Sequence, residues 1–170
     1  MLGSWSNFFA LTGSASATLV GLLFVVVTLG SHLSTSRTME IADASMTPAL
    51  YCFGSVLLQS MVALAPWPSD PLVGILVVAG GIAGSIYRVV GIRVRRRVKL
   101  RVIDSSMDWI FFNMVPVAAA VCLICGGAGL IAVATFAPFA IAGSSALFLV
   151  CGIYQSWTET LALIALRGDS

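Results

Sequence analysis

Long apolar runs separated by short polar segments dominate this chain and decide what it can fold into. Hydrophobic residues make up 59% of its 170 residues and charged residues 9%, against roughly a quarter charged in a soluble domain. A soluble fold of this composition lacks the charge to cover its surface. Runs of about 20 apolar residues have the length of a membrane-spanning helix. The sequence therefore predicts an all-α integral membrane protein with a single domain over residues 1–170.

Five helices are expected to span the membrane, with limits set by prolines and charges. The predicted spans are residues 5–33, 48–64, 72–92, 109–136 and 139–166, and a basic segment covers about 93–104. The first span lacks the basic start and cleavage site of a signal peptide, so we interpret it as a mature helix. Residues 34–46 predict a loop, and Pro48 suits the first turn of the next helix. Pro138 is expected to end the fourth helix. The second span is short enough to be tilted or re-entrant.

Positive charge is concentrated in one segment, which predicts how the chain is threaded. Six of the nine Lys and Arg residues lie within nine positions, namely Arg93, Arg95, Arg96, Arg97, Lys99 and Arg101. Segments rich in Lys and Arg stay in the cytoplasm, so five spans place the N-terminus outside and the C-terminus inside. We expect the cluster to bind anionic lipid headgroups, at about 1 kcal/mol per charge. A nucleic-acid partner is not expected, because the cluster lies against the bilayer and lacks interleaved aromatic residues.

Polar residues of all five predicted helices fall at a similar depth near the cytoplasmic end. They are Glu159 in the fifth helix, Arg88 in the third, Asn113 in the fourth, Tyr51 in the second and Thr28 in the first, with Gln155 and Thr158 of the fifth helix further into the membrane. Ionisable residues inside a membrane usually pair or face water, and Glu159 and Arg88 are the natural pair. One interpretation is a buried ion pair that fixes helix register, with snorkelling of Arg88 as its variant. The other is a polar stripe along the fifth helix that lines a conduction path. That stripe comprises Gly152, Gln155, Glu159 and Ala162.

Small residues recur at intervals of four in two of the predicted helices. They are Gly13, Ala17 and Gly21 in the first helix, and Gly80 and Gly84 in the third. Small residues at this spacing let helix backbones approach closely in a membrane. Packing within one bundle and contact between protomers both remain open.

Signatures of catalysis, of a metal and of a cofactor are missing from the sequence. It contains no Walker A loop, H-E-x-x-H, G-x-S-x-G or G-x-G-x-x-G. Cys122 and Cys125 have C-x-x-C spacing, but within a helix at membrane depth they are expected to be packing residues. His32 is the single histidine and is expected at the cytoplasmic interface, with a role as a pH sensor left open. We therefore expect a protein that is not an enzyme.

Two functions remain open from the sequence. A homo-oligomeric, cation-permeable channel or small transporter is favoured by the polar layer. The alternative, a non-catalytic accessory or assembly subunit of a larger membrane complex, is favoured by the small-residue faces and the lack of inverted repeats. Expected partners are membrane lipids and either further copies of the chain or another membrane protein. Residues 5–9 and 21–25 resemble small bacterial membrane proteins of unassigned function, and the bacterial inner (plasma) membrane is the expected location.

Overall fold

The structure is a computed structural model that describes residues 2–31, 36–98 and 110–168, with side chains for residues 2–26, 28, 48–90, 110–158 and 160. Across these ranges the chain is helical and forms no strand. A 3₁₀ turn (Leu2–Trp5) precedes α1 (Ser6–Ser31), α2 (Ser36–Leu64) and α3 (Asp70–Val98), and a π-helical turn (Ile110–Met114) precedes α4 (Val115–Ile131) and α5 (Ala137–Gly168). The prediction of an all-α fold with five helices is confirmed for this part of the chain.

Four of the described helical segments are long and apolar enough to cross a membrane. They are Leu2–Val26, Asp70–Val90, Ile110–Ile131 and Ala137–Thr158. The apolar part of α2, Pro48–Leu64, is shorter than these. Large apolar side chains point outward, including Leu11, Ile86 and Phe139, which are 70%, 60% and 65% exposed. Lengths and exposed faces of this kind are consistent with an integral membrane protein.

The helix α2 begins well before the position predicted for it. Its backbone is helical from Ser36, so Pro48 lies inside the helix and most of the loop expected over residues 34–46 is absent. Met39, Glu40 and Ala42 are strong helix formers. Their summed propensity explains why the helix persists, although Pro48 removes one backbone hydrogen bond.

The turn between α4 and α5 also differs from the prediction. The helix α4 ends at Ile131, and Pro138 lies in the first turn of α5 instead of ending the preceding helix. The Ala134 N–H donates to the Gly129 carbonyl (2.8 Å), and the Val133 N–H donates to the Leu130 carbonyl (3.2 Å). These two bonds form a Schellman motif, in which the residue after the cap takes a left-handed conformation. Here that residue is Val133, with φ of 56°.

The five helices pack in the spatial order α1, α2, α5, α4, α3. Gln59 of α2 contacts Ser145 of α5, and Cys52 of α2 contacts Gln155, so these two central helices run antiparallel. Phe53 of α2 is buried against the backbone of Gly152 on α5. The interface between α2 and α5 is therefore the middle of the bundle, with α1 on one side of it and α4, followed by α3, on the other.

Glycines allow a close backbone contact between α3 and α4. A Cβ atom at Gly74 would lie 2.6 Å from the carbonyl oxygen of Gly127, and one at Gly127 would lie 2.9 Å from that of Gly74. Real Cβ atoms do not approach backbone this closely, so neither position has room for a side chain. On the far side of α4, a Cβ at Gly126 would lie 3.0 Å from the backbone nitrogen of Ile141 in α5. Small residues thus let α4 sit close to both of its neighbours.

Candidate functional site

Pro116 leaves two backbone carbonyls of the π-helical turn without their usual partner. In a π-turn a carbonyl accepts from the N–H five residues later, and in an α-helix from the N–H four residues later. For Phe111 and Phe112 respectively, that residue is Pro116, which has no N–H. Pro116 is also fully buried. Groups freed in this way inside a membrane have to be satisfied by neighbouring helices.

Arg88 of α3 supplies the donor for one of these carbonyls. Its Nη2 donates to the Phe112 carbonyl at 2.5 Å, and its guanidinium carbon lies 5.4 Å from the centre of the Tyr51 ring, within range of a cation–π interaction. Tyr51 in turn stacks on Tyr87 at 5.8 Å. Gly84 makes room for this arrangement, since a Cβ there would lie 2.6 Å from the Tyr51 hydroxyl. Arg88 is thus held by a carbonyl and an aromatic ring from two other parts of the bundle.

Gln155 of α5 supplies the donor for the other carbonyl. Its side chain is fully buried, and Nε2 donates to the Phe111 carbonyl (3.1 Å) and to the thiol sulfur of Cys151 (3.1 Å). The Cys151 thiol donates to the same carbonyl at 3.0 Å. The Cys52 thiol of α2 donates to Oε1 of Gln155 at 3.7 Å. The amide of Gln155 therefore joins α2, α5 and the π-turn.

The polar layer predicted from the sequence is assembled only in part. Arg88, Gln155 and Tyr51 lie around the π-turn that contains Asn113, which is half-buried. Thr158 bonds within its own helix, to the Tyr154 carbonyl at 3.0 Å. Thr28 is exposed on α1 and bonds the Phe24 carbonyl at 3.0 Å.

The partner predicted for Arg88 cannot be placed in this layer. The side chain of Glu159 lies outside the described residues, as does that of Ala162, so the predicted ion pair stays a prediction. The other two members of the predicted stripe, Gly152 and Gln155, both face the closed interface between α2 and α5.

A second polar cluster lies deeper in the bundle, between α1, α2 and α5. Ser145 donates to Oε1 of Gln59 at 2.9 Å, and the hydroxyls of Thr12 and Ser60 share a hydrogen bond of 3.3 Å. Nε2 of Gln59 and the hydroxyl of Ser144 are buried without a partner among the described atoms. Val56 and Phe148, which are 0% and 1% exposed, occupy the interface between this cluster and Gln155. A layer of packed apolar side chains therefore separates the two polar clusters in the isolated chain.

The outward face of α1 carries a row of small and polar residues that was not predicted as one row. Seven exposed residues fall within about 100° of arc at 100° per residue, namely Asn7, Ala10, Ser14, Ala17, Thr18, Gly21 and Thr28. We call this row the α1 stripe. Val25 lies within the same arc but has a large apolar side chain, which is 52% exposed. The signal in the sequence is spacing by three and four residues, which the predicted small-residue motif captured only at Ala17 and Gly21.

The small residues predicted for helix packing fall into two environments. A Cβ at Gly13 would lie 2.8 Å from the Cβ of Ser60, and Gly84 faces Tyr51, so these two glycines face other helices of the same chain. Ala17, Gly21 and Gly80 are exposed, and nothing lies within 4 Å of a Cβ built at either glycine. Packing within one bundle therefore accounts for Gly13 and Gly84, whereas contact between protomers stays a prediction for Ala17, Gly21 and Gly80.

The basic cluster lies partly beyond the part of the chain that is described. Arg93, Arg95, Arg96 and Arg97 belong to the backbone of α3, but their side chains are outside the described set. Lys99, Arg101 and His32 are outside it altogether. Headgroup binding by the cluster remains a prediction.

The side chains around the π-turn supply the amide of Gln155, two thiols and the guanidinium of Arg88. Among the described residues no group of three or more His, Cys, Asp and Glu side chains lies together. The arrangement joins helices, and it holds a guanidinium and two thiols near two carbonyl oxygens. Comparison with protein-family models, with curated proteins and with solved structures finds no match to this chain.

Proposed function

We propose that this chain is a small, non-catalytic membrane subunit that acts by assembling with further helices through the α1 stripe. The observation that carries the proposal is the composition of that outward face. A helix face directed at lipid is normally covered by large apolar side chains, whereas helix–helix contacts in membranes favour Gly, Ala, Ser and Thr. The α1 stripe has the second composition.

The exposed face of α3 provides an internal comparison. Ile75, Leu76, Ile82 and Ile86 are all exposed on α3, and Leu76 lies one helical turn before the exposed Gly80. Such a face suits lipid. The contrast between α1 and α3 supports assembly through one side of the bundle.

A groove on a different side of α1 from the stripe offers a second contact for a neighbouring helix. It runs between α1 and α5 and is lined by apolar side chains, including Leu19, Leu22 and Ile153, with Trp157 at its edge. The hydroxyls that reach it, from Ser156 and Thr160, bond carbonyls of their own helix at 2.8 and 2.7 Å. An apolar side chain from a neighbouring helix would fill the groove without leaving a polar group unpaired.

The bonding around the π-turn supports a structural role for the polar layer. Gln155 is 0% exposed and bonds protein atoms at both ends of its amide. Hydrogen bonds that join α2, α5 and the π-turn in this way rigidify a bundle and fix helix register. The layer thereby gives α1 a rigid body from which to present its stripe.

Matched substitutions at two open glycines test the proposal. In Gly21→Leu the new side chain blocks the α1 stripe, whereas in Gly80→Leu it adds to an already apolar face. We expect the purified wild type to run as an oligomer or as a complex with a co-purifying membrane protein, Gly21→Leu to run as the single chain, and Gly80→Leu to match the wild type. Equal assembly of all three proteins would contradict a role for the stripe.

A homo-oligomeric, cation-permeable channel is the second candidate, and one observation favours it. The exposed hydroxyls of Ser14, Thr18 and Thr28 lie along the same stripe, so a ring of copies with α1 inward would line its axis with oxygen atoms, a lining suited to cations. Flux of monovalent cations into proteoliposomes tests this candidate. Flux that is lost in Ser14→Leu with the oligomer intact supports it, and no flux from an oligomeric wild type rejects it.

Glu159 is the second element of the channel candidate. In the orientation proposed here, with the N-terminus outside a bacterial inner membrane, it lies toward the cytoplasmic end of α5. If its carboxylate forms part of a pore, Glu159→Gln changes cation flux while thermal stability is retained. If it pairs with Arg88, the same substitution lowers stability, and the double change Glu159→Gln with Arg88→Gln recovers much of the loss.

A further inference from the structure

Two thiols from distant parts of the sequence meet in the core of the bundle. Cys52 of α2 and Cys151 of α5 are both 0% exposed. Both contact one side-chain amide, since the Cys52 thiol bonds Oε1 of Gln155 and Nε2 of Gln155 bonds the sulfur of Cys151. The fold thus brings two sulfur atoms to the two ends of one amide group.

A cation stands next to this thiol pair. Arg88 Nη2 donates to the Phe112 carbonyl, and the Cys151 thiol donates to the carbonyl of the preceding residue, Phe111. The Arg88 Nε atom is buried and has no hydrogen-bond partner among the described atoms. A positive charge at this position can balance the negative charge of two thiolate ligands.

We propose that Cys52 and Cys151 form a binding site for one soft monovalent metal ion of the Cu(I) type. Two thiols bind the ion and release their protons, so that two R–SH and M⁺ give (RS)₂M⁻ and two H⁺. Both metal–sulfur bonds form at the expense of S–H bonds, and no atom is oxidised or reduced. Thiolates are soft ligands that select Cu(I) over hard cations.

Charge balance and ligand number favour a monovalent ion over zinc. Two thiolates, one M⁺ and the guanidinium of Arg88 sum to zero, which is the least costly state in a low-dielectric core. A divalent ion would leave an excess positive charge. Structural zinc also takes four ligands, whereas the described residues place no third His, Cys, Asp or Glu beside this pair.

Gln155 would position one of the two ligands, Cys151. Its Nε2 donates to Cys151 and to the Phe111 carbonyl, so it still has a bond to offer the sulfur after the thiol proton has left. A hydrogen bond from a neighbouring residue is the usual way in which proteins orient a metal ligand.

The other two cysteines of the described chain supply a control. Cys122 is half-buried and Cys125 is exposed on α4, and the pair lies on one helix. The double variant Cys122→Ser with Cys125→Ser therefore removes half of the thiols without touching the proposed site.

Titration of the purified, phosphine-reduced full-length protein with Cu(I), in competition with a chromogenic Cu(I) chelator, tests the proposal. We expect one Cu(I) per chain, two protons released per Cu(I) in weak buffer, and an affinity that falls on the order of 100-fold in Cys52→Ser and in Cys151→Ser. The Cys122→Ser, Cys125→Ser variant should bind as the wild type does. Arg88→Gln should weaken binding and Arg88→Lys should restore it, because Lys keeps the balancing charge.

Three results would overturn the proposal. They are no Cu(I) retained by the wild type, binding lost equally in the Cys122→Ser, Cys125→Ser variant, and binding without proton release. The stoichiometry and proton count of the Cys122→Ser, Cys125→Ser variant decide the question even if a serine variant at Cys52 or Cys151 fails to fold. The site does not rest on assembly through α1, so its test is independent of the oligomeric state.

Discussion

The guanidinium of Arg88 donates a hydrogen bond to the carbonyl oxygen of Phe112. Pro116, one helical turn later, has no backbone N–H that could donate to that carbonyl. The bond joins α3 to the start of α4, and it satisfies a carbonyl that Pro116 leaves unpaired in a helix. An arginine inside an apolar helix is usually taken as a sign of function. In this structure Arg88 completes the backbone hydrogen bonding of a neighbouring helix.

Arg88 and Pro116 should therefore be energetically coupled. Arg88→Met removes the donor and leaves the Phe112 carbonyl unpaired, at a cost of about 1–3 kcal/mol. In Pro116→Ala the new N–H can bond that carbonyl, so the same Arg88→Met substitution should cost less. Thermal or denaturant unfolding of the four proteins in detergent gives the coupling energy. An identical cost in both backgrounds would show that the bond to Phe112 contributes nothing.

The contact between α3 and α4 should tolerate no added side chain. A methyl group at Gly127 meets the Gly74 carbonyl and the side chains of Val77 and Val78, so Gly127→Ala should destabilise the fold by about 1–3 kcal/mol. Gly80→Ala is the control, since nothing lies within 4 Å of its added Cβ. That change should be neutral or stabilise by up to about 1 kcal/mol through helix propensity. Equal midpoints of unfolding for the two variants would refute the close approach of the backbones.

Val133 should be a site at which a smaller residue stabilises the protein. A β-branched residue at φ of 56° is strained, and Val133 is 57% exposed, so its side chain gains little by burial. Val133→Gly should raise stability by about 1 kcal/mol. Ala134→Gly, one residue later, should instead be neutral or destabilising. A lower melting temperature for Val133→Gly than for the wild type would count against the left-handed turn.

The threading proposed for the chain is open to chemical labelling. Ser69 lies exposed in the Pro-rich connection between α2 and α3, and Ser105 follows the basic segment. Single cysteines at these two positions, in a cysteine-free background, should react from opposite sides of the membrane, with Ser69 reached from outside. Labelling of position 105 from outside in intact cells would reverse the orientation. Charge reversal across Arg95, Arg96 and Arg97 should disturb orientation before it disturbs assembly.

The boundaries of the helices show how far local sequence carries. The Pro-rich connection at residues 65–69 is present where the prolines predict it. Two other prolines do not have the positions in helices that were predicted for them. Pro48 lies inside α2, and Pro138 lies in the first turn of α5. A proline marks a place where a hydrogen bond is lost, but whether a helix begins, bends or ends there depends on the residues around it.

The sequence predicted several residues of the candidate site but not the contacts between them. Arg88, Gln155 and Tyr51 were selected because they are polar at one depth. Their partners, the Phe111 and Phe112 carbonyls, carry no signal of their own in the sequence beyond Pro116. Cys52 and Cys151 are 99 residues apart and form no spacing motif. Cys122 and Cys125 have C-x-x-C spacing, but on α4 the first is half-buried and the second is exposed.

The sequence by itself determined the all-α class and five apolar helices, of which four have membrane-spanning length while the apolar part of α2 is shorter. These are properties of hydropathy and length along a single segment, and they do not depend on neighbours. Tertiary structure decided that Gly13 and Gly84 face other helices while Gly21 and Gly80 face outward. It also decided which donors reach the carbonyls freed by Pro116. In a bundle this apolar, hydropathy does not distinguish the faces of a helix, so close fit and unpaired hydrogen bonds set the contacts.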